Sequence, residues 1–498
     1  MTDFLVSPKQ HGALGGGADD TAALQATGDF CAASKGAVMV LDDNFRCSGP
    51  LTFGGGLTIR GAVSSGNNSG TNKSTITWDL APETLECGLQ ITGQNWSIEG
   101  VALNGSGRAR RVLQLEAASV GRLRDSVING PAGADPLAPG ACIWGFGLIN
   151  VAIEGCTLLH NNTAAPYARG IDVQAENSHE KGYAPGVIYY GFDNASAIRD
   201  CRIYGHAANI IADGGTYTVE NCDFQGWSVL DDGKVILSGT STQFGFTGNY
   251  AEFKAAPDGT PHKTPMKWVR MAGSNNFLLV TGNRGYMVPT KEPGSICFDL
   301  GQGNAYYRSA IVKNNAAHRF ESGFTLRPRA TESWTEFEGN SVGQATYLFA
   351  PQSYYKPTAA RGWAQTYPGR FAGLRAGDLA DTRIVSRTEG ATEAGLWVTQ
   401  AGPALDLTYG NLIYYNGAAG ATLGYIGTVP EHLAGATFRI FNGSDDAVNL
   451  AGGNGKGGTF LANAGSQIPA GGVAVVTALP TRVMLVETIT AAACERAA

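Results

Sequence analysis

No run of apolar residues in this chain approaches the roughly eighteen that a membrane-crossing helix requires, so insertion into a bilayer is not expected. The opening Met1-Thr2-Asp3-Phe4 has neither the basic nor the apolar stretch of a secretion signal, which points to synthesis in the cytoplasm and release by another route if the protein acts outside. Charge is scarce: 16% of the residues are Asp, Glu, Lys or Arg, and the balance is −6. Without a basic face nucleic acid is not an expected partner. The chain also lacks Cys-x-x-Cys, His-Glu-x-x-His, an EF-hand loop and Gly-x-Ser-x-Gly. That set of absences argues against zinc, calcium and serine-hydrolase chemistry, and no metal or cofactor is called for. The nine cysteines are an odd number, and three of them recur inside a repeated phrase, so free thiols are expected rather than a disulfide framework.

Glycine is abundant, with 69 residues and no collagen-like period, as many tight turns would require. The turns belong to a phrase that recurs from Ile98 to Asn340: a large apolar residue, any residue, then Gly, Asn or Asp, then a position that is mostly Cys or Asn. It reads IEGV (98–101), LRDS (123–126), IEGC (153–156), IRDC (198–201), VENC (219–222), FTGN (246–249), VTGN (280–283), VKNN (312–315) and FEGN (337–340). The steps are 25, 30, 45, 21, 27, 34, 32 and 25 residues. Irregular steps above a common minimum fit a coil whose turn is one strand-built rung with loops of varying size.

The third position takes the residue types that tolerate left-handed backbone, so a strand turns a corner there. The fourth should then stack on its counterpart one rung away, about 4.8 Å distant. This predicts a column of Cys156, Cys201, Cys222, Asn249, Asn283, Asn315 and Asn340, with amides hydrogen-bonded along it and thiols packed as small hydrophobes. The fold class that follows is all-β, a right-handed parallel β-helix.

The N-terminal run Gly12-Ala13-Leu14-Gly15-Gly16-Gly17-Ala18-Asp19-Asp20-Thr21 resembles the opening signature of the pectate-lyase-like β-helix superfamily, in which phage tailspikes and polysaccharide depolymerases are common. That family's segment reads Gly-Ala-x-Gly-Asp-Gly-x-x-Asp-Asp-Thr. Here Gly stands for its first Asp, the spacing is one residue shorter, and Asp42-Asp43-Asn44-Phe45 stands where Pro-x-Gly-x-Tyr is usual. The resemblance implies a short helix capping the open end of the coil, and Asp19 or Asp20 is a suitable N-cap for it. Ala23, Leu24, Thr27, Phe30 and Cys31 form its apolar stripe, and Gly36 should close it. The acidic pair is expected to be structural.

Four segments follow: a capping segment (1–61), the coil (62–355), a Pro- and Gly-rich junction (356–381), and a C-terminal part (382–498) whose short alternating strands suggest an antiparallel β-sandwich for trimerisation or sugar contact.

Chemistry is expected on the outside of the coil. The longest step, from Ile153 to Ile198, carries a long loop, and loops on a rigid scaffold gather binding residues. Alternation in Gly170-Ile171-Asp172-Val173-Gln174 turns Asp172 outward, and in Asn209-Ile210-Ile211-Ala212-Asp213 it turns Asp213 outward on the next rung. Offset neighbours of this kind lie roughly 7–8 Å apart, which suits two carboxylates with a water between them, the arrangement of inverting glycoside hydrolysis. Asp172 and Asp213 are the expected catalytic acids, with Glu176 as substitute. Arg169, His179, Tyr189, Tyr190 and Trp227 are expected to bind substrate, the aromatic rings by stacking on sugar faces. Asp231 and Asp232 form a reserve pair in a turn. His160 and His206 are read as turn residues, and Phe244, Phe246, Phe277 and Phe337 as core.

Two other mechanisms remain open on these residues. A lyase would use Arg169, His179, Lys181 and Tyr183 for proton abstraction and charge neutralisation, and an adhesin would hold glycan without turnover. The resemblance implies a homotrimeric phage-type tailspike on a virion tail, acting on a bacterial polysaccharide; because the capping segment begins within the first residues, the expectation is attachment through another tail protein, or else a fragment or a free enzyme.

Overall fold

The protein is described by a computed structural model covering residues 4–34, 36–62, 74–160, 164–174, 176–177, 188–189, 191–226, 233–239, 241–254, 265–288, 292–301, 305–327, 334–338, 340–343 and 347–349, together with strands and turns between 376 and 490. By contact it divides into two units, Met1–Tyr306 and Tyr307–Ala498.

In the first unit the chain winds around three faces of parallel strands, of which I and III are joined into one sheet through the long strand Ala109–Arg124. Face I includes Thr58–Arg60, Ser97–Glu99, the end of Ala109–Arg124, Leu148–Glu154, Ser196–Arg199, Thr216–Glu220, Ser241–Thr247 and Asn275–Thr281. Face II includes Ala102–Asn104, Val127–Asn129, Thr157–Leu159, Arg202–Tyr204, Asp223–Gly226, Tyr250–Lys254 and Arg284–Val288. Face III includes Leu85–Gln94, the start of Ala109–Arg124, Ala141–Phe146, Arg169–Val173, Ile210–Ala212, Val235–Leu237, Lys267–Met271 and Glu292–Leu300. Successive rungs pair in parallel and in register, as in Ile153↔Ile198 and Ile198↔Val219. This is a parallel β-helix.

The corner between faces I and II is where the repeated phrase sits. Its third residue has positive φ in every described corner from Gly100 (64°), through Asp125 (48°), Gly155 (61°), Asp200 (54°), Asn221 (52°) and Gly248 (68°), to Gly282 (70°). The next residue points inward and repeats one geometry rung after rung. The Cys156, Cys201 and Cys222 thiols donate to the carbonyls of Glu154, Arg199 and Glu220 at 3.3, 3.1 and 3.3 Å. Burial pushes the Cys156 and Cys222 thiols well above their ordinary range. Asn249 Nδ2 then donates to Asn283 Oδ1 at 3.0 Å, while Asn249 Oδ1 accepts the Cys222 N–H at 2.9 Å.

Outside the same corner lies a second column, formed by the second residue of each phrase. Arg60, Glu99, Arg124, Glu154, Arg199 and Glu220 stand opposite one another in register and alternate in sign. Glu154 meets Arg122 at 2.7 Å and Arg199 at 3.9 Å, and Arg199 meets Glu220 at 2.9 Å. A slip of one rung would set like charges opposite each other, so the column specifies register. Glu154→Arg places three cations in succession, and we expect a loss of about 1–2 kcal/mol, reduced for solvent screening. Urea unfolding at low and high salt checks it, because the loss should shrink with salt.

The helix Thr21–Ala33 packs against Ala37–Val40 and Leu51–Phe53 at the N-terminal end. Asp20 is its N-cap by position, but its carboxylate accepts the Leu14 N–H at 2.7 Å instead of capping the helix. Asp19 accepts from Thr21 N at 3.1 Å and from Ser48 Oγ at 2.5 Å, tying helix to first rung. Two expectations need correction: Ser34, before Gly36, is the C-cap, and Phe30 is 41% exposed beside Phe4 and His11 rather than buried.

His160 and His206 do lie in turns, after face II strands, but they are interior. Their rings stack at 5.7 Å, and His206 is fully buried beside the buried Lys234, whose ammonium donates to the His206 carbonyl. Burial, and next the charge of His160, push the His206 imidazole well below its ordinary range. The folded chain therefore holds His206 neutral while the unfolded chain protonates it below about pH 6.5. The stability this gives is complete above that pH and is lost as pH falls toward the folded value, with a slope approaching ~1.4 kcal/mol per pH unit. His206→Phe should flatten the acid side of the unfolding midpoint plotted against pH; an unchanged slope would refute the assignment.

The second unit opens on the same winding, with Ser309↔Trp334 and Ala316↔Ser341 paired in parallel and Asn315 Nδ2 donating to Asn340 Oδ1 at 2.8 Å. Its C-terminal part is a sandwich of two sheets over one core containing Tyr415, Phe438, Ile440, Val448, Ile468 and Val476. The antiparallel pairing expected there joins Thr437–Asn442, Val473–Ala478 and Met484–Thr490. Beside it, Leu396–Gln400, Leu412–Tyr415 and Thr437–Asn442 pair in parallel, because the chain visits the other sheet between them.

Candidate functional site

Face III carries the expected acids. Its outward residues form a column in register: Gln114 opposite Trp144, Trp144 opposite Asp172, Asp172 opposite Ile211. Ile210 and Ala212 point into the core, so Asp213 turns outward two residues beyond Ile211, diagonal to Asp172 on the adjoining strand as alternation required. Such a diagonal spans roughly 7–8 Å.

Both acids are nearly enclosed, Asp172 at 4% and Asp213 at 7% exposure. Asp172 Oδ2 accepts from Arg169 at 2.7 Å and its Oδ1 from the Gln174 amide at 2.5 Å, so the carboxylate is fixed from both sides. Asp213 Oδ1 accepts the Gly191 N–H at 2.6 Å. Glycine is required at 191, because a Cβ there would stand 2.5 Å from that oxygen and 2.5 Å from the Val173 carbonyl. Arg169, expected to bind substrate, therefore also orients an acid.

Of the other expected residues, Glu176 lies in the two-residue strand Glu176–Asn177, paired antiparallel with Ile188–Tyr189, so Glu176 and Tyr189 are opposite each other. Their side chains are outside the described residues, as are His179, Lys181, Tyr183, Tyr190, Trp227, Asp231 and Asp232. Phe244 and Phe246 are core, whereas Phe277 is opposite Gln243 on the outward side of its strand and only partly buried, a correction to the core assignment; the Phe337 side chain is outside the described residues.

Several groups on face III were missed. Trp144 is half-buried beside Asp172, with the Arg111 guanidinium carbon 3.5 Å from its ring centroid. Arg111 donates to Gln114 at 3.1 Å, and Gln114 to the buried Glu116. Further along, Asp299 is fully buried with Lys267 Nζ at 2.9 Å; burial raises its carboxyl above the ordinary range against the pull of that cation. The signal for Trp144 was available: it is the polar-face position of Ala141-Cys142-Ile143-Trp144, between inward residues. Among the described residues no group of His, Cys, Asp and Glu could hold a metal ion, and no helix is long and apolar enough to cross a membrane.

No protein-family model matches the chain, and no curated protein matches it. Among solved structures it is similar to PfbA, a surface adhesin of Streptococcus pneumoniae, with 12% identity over 80% of this chain and 98% of that one and a TM-score of 0.45. It is similar to a tailspike of an Acinetobacter phage, with 10% identity, coverage of 96% and 78%, and a TM-score of 0.41. It is also similar to the tailspike protein of E. coli bacteriophage HK620, solved as a double mutant with a pentasaccharide, with 12% identity, coverage of 70% and 63%, and a TM-score of 0.42. The parallel coil rests on its own strand register and not on these likenesses.

Proposed function

We propose that the protein is a phage-type tailspike, a homotrimer, that binds a bacterial surface polysaccharide across face III and hydrolyses it between Asp172 and Asp213. The observation that carries this reading is the half-buried Trp144 directly opposite Asp172, with Asp213 diagonal to it on the next strand. A ring for a sugar face and two outward acids meet there on rigid strands. Asp172, held by Arg169 and Gln174, is the base that takes a proton from water. Asp213, diagonal to it on the next strand, gives a proton to the leaving oxygen.

A binding module without turnover is the second reading, and it is favoured by the engagement of both acids in hydrogen bonds within the protein. The experiment that separates these readings incubates the protein with purified capsular polysaccharide, exopolysaccharide and O-antigen. New reducing ends without the ultraviolet absorbance of an unsaturated sugar support hydrolysis. Ends with that absorbance establish a lyase, and retention of glycan without new ends establishes a binder.

A further inference from the structure

We infer that face II is where one copy of this chain meets the next, with the coils parallel and their rungs level, through the outward residues of four consecutive strands. This rests on the homotrimer proposed above and names the surface that forms it. On Arg202–Tyr204, Asp223–Gly226, Tyr250–Lys254 and Arg284–Val288 the inward positions are Ile203, Phe224, Ala251 and Gly285. Strand register then sets the outward residues in two columns. The first reads Arg202, Asp223, Tyr250, Arg284, and the second reads Tyr204, Gln225, Glu252, Tyr286.

Arg202, Tyr250 and Arg284 are exposed and the other five are half-buried, so the strip is open to a partner. On the three rungs before it the same columns hold Ala102, Val127 and Thr157, and Asn104, Asn129 and Leu159, with neither a ring nor a charge. Tyrosine and arginine are the types enriched where proteins associate. A flat strand surface also suits another protein better than a small molecule, which takes a concave site. The side chains are held ready for contact. Tyr204 Oη donates to Asp223 Oδ2 at 2.7 Å, Tyr250 Oη to Glu252 Oε2 at 3.2 Å, and the rings of Tyr250 and Tyr286 lie 5.9 Å apart. Little rotamer freedom is left to lose on association.

Symmetry and charge identify the partner as a second copy. Rotation about any axis running along the coil brings the first column of one copy against the second column of the next, at the same level. Each row is then complementary. Arg202 meets the face of the partner's Tyr204, and Arg284 that of the partner's Tyr286. Between them Asp223 accepts from the amide of the partner's Gln225, and Tyr250 donates to the carboxylate of the partner's Glu252. Turning the second copy end over end would instead set Arg202 against the partner's Arg284, two cations together. The level, parallel arrangement is therefore the one these eight residues favour.

The test is analytical ultracentrifugation of the full chain, over a dilution series with and without mild urea so that a tight assembly also comes apart. Wild type should form a closed assembly of three. Arg202→Glu and Arg284→Glu, made singly at exposed positions, should each weaken that assembly roughly tenfold or more with circular dichroism unchanged, because every contact of the ring loses a cation. Asp172→Asn, on face III, should assemble as wild type does. Tighter assembly in either glutamate variant would place the copies end over end and overturn the level arrangement. Unchanged assembly in both would overturn the surface while the homotrimer stands. If those variants stay assembled but lose retention of polysaccharide, the strip is a glycan surface and the inference fails. A wild type that is monomeric throughout would overturn both the surface and the homotrimer.

Discussion

Asn249→Ala is expected to lower the free energy of unfolding by about 2–4 kcal/mol, more than a substitution at a neighbouring thiol of the same column. The side chain is 1% exposed and serves three rungs at once. Its Oδ1 accepts the Cys222 N–H at 2.9 Å, and its Nδ2 donates to the Val219 carbonyl at 3.0 Å and to Asn283 Oδ1 at 3.0 Å. Truncation leaves a buried N–H with no acceptor and strips a partner from two buried oxygens, and no water can replace them in a packed interior. Cys201→Ala removes one thiol and its weak bond to the Arg199 carbonyl, so it should cost about 1 kcal/mol. Urea unfolding of both variants measures the difference. Equal losses would show that the amide column contributes only packing.

Asp172→Asn is expected to reduce polysaccharide hydrolysis by about 10²–10⁴ while leaving binding within a few-fold of wild type. The amide keeps the size of the carboxylate and can still accept from Arg169, so the site should hold its shape, but it cannot take a proton from water. Asp213→Asn should do the same by removing the proton donor, and the double variant should lose little more than either single one, because the two acids act in one step. Arg169→Gln separates orientation from chemistry: turnover should fall less than in Asp172→Asn, since the carboxylate stays and only its ion partner at 2.7 Å is lost. Turnover that survives both asparagine variants would move the acids elsewhere on face III, with Glu116 the next to test.

The repeated phrase was legible because its third position is constrained by backbone conformation. Asp125, Asp200 and Asn221 all have positive φ, a state that few residue types enter readily. The fourth position followed, since residues at equivalent corners of a coil must superimpose. The alternating charges of Glu99, Arg124, Glu154, Arg199 and Glu220 were written in the same phrase. They have meaning only once consecutive phrases are known to be neighbours in space, which steps of 21 to 45 residues conceal. Phe277 was misassigned because position within a short apolar run does not say which side faces in; pairing with Gln243 decides it.

The site was legible in part. Alternation identified Asp172 and Asp213 as outward and diagonal. It did not show that Arg169 and Gln174 would hold one and the Gly191 amide the other, nor that Trp144, Arg111 and Gln114 would stand beside them.

The amino-acid sequence alone determined that this chain winds, where each rung turns its corner and which side chains fill the column behind it, because those depend on local backbone preference and on a repeat. Tertiary structure alone decided which outward groups on face III meet and how deeply they are enclosed. Contacts between strands 25 to 45 residues apart are fixed by hydrogen-bond register and by the path of the intervening turns, and neither is encoded in any single stretch of residues.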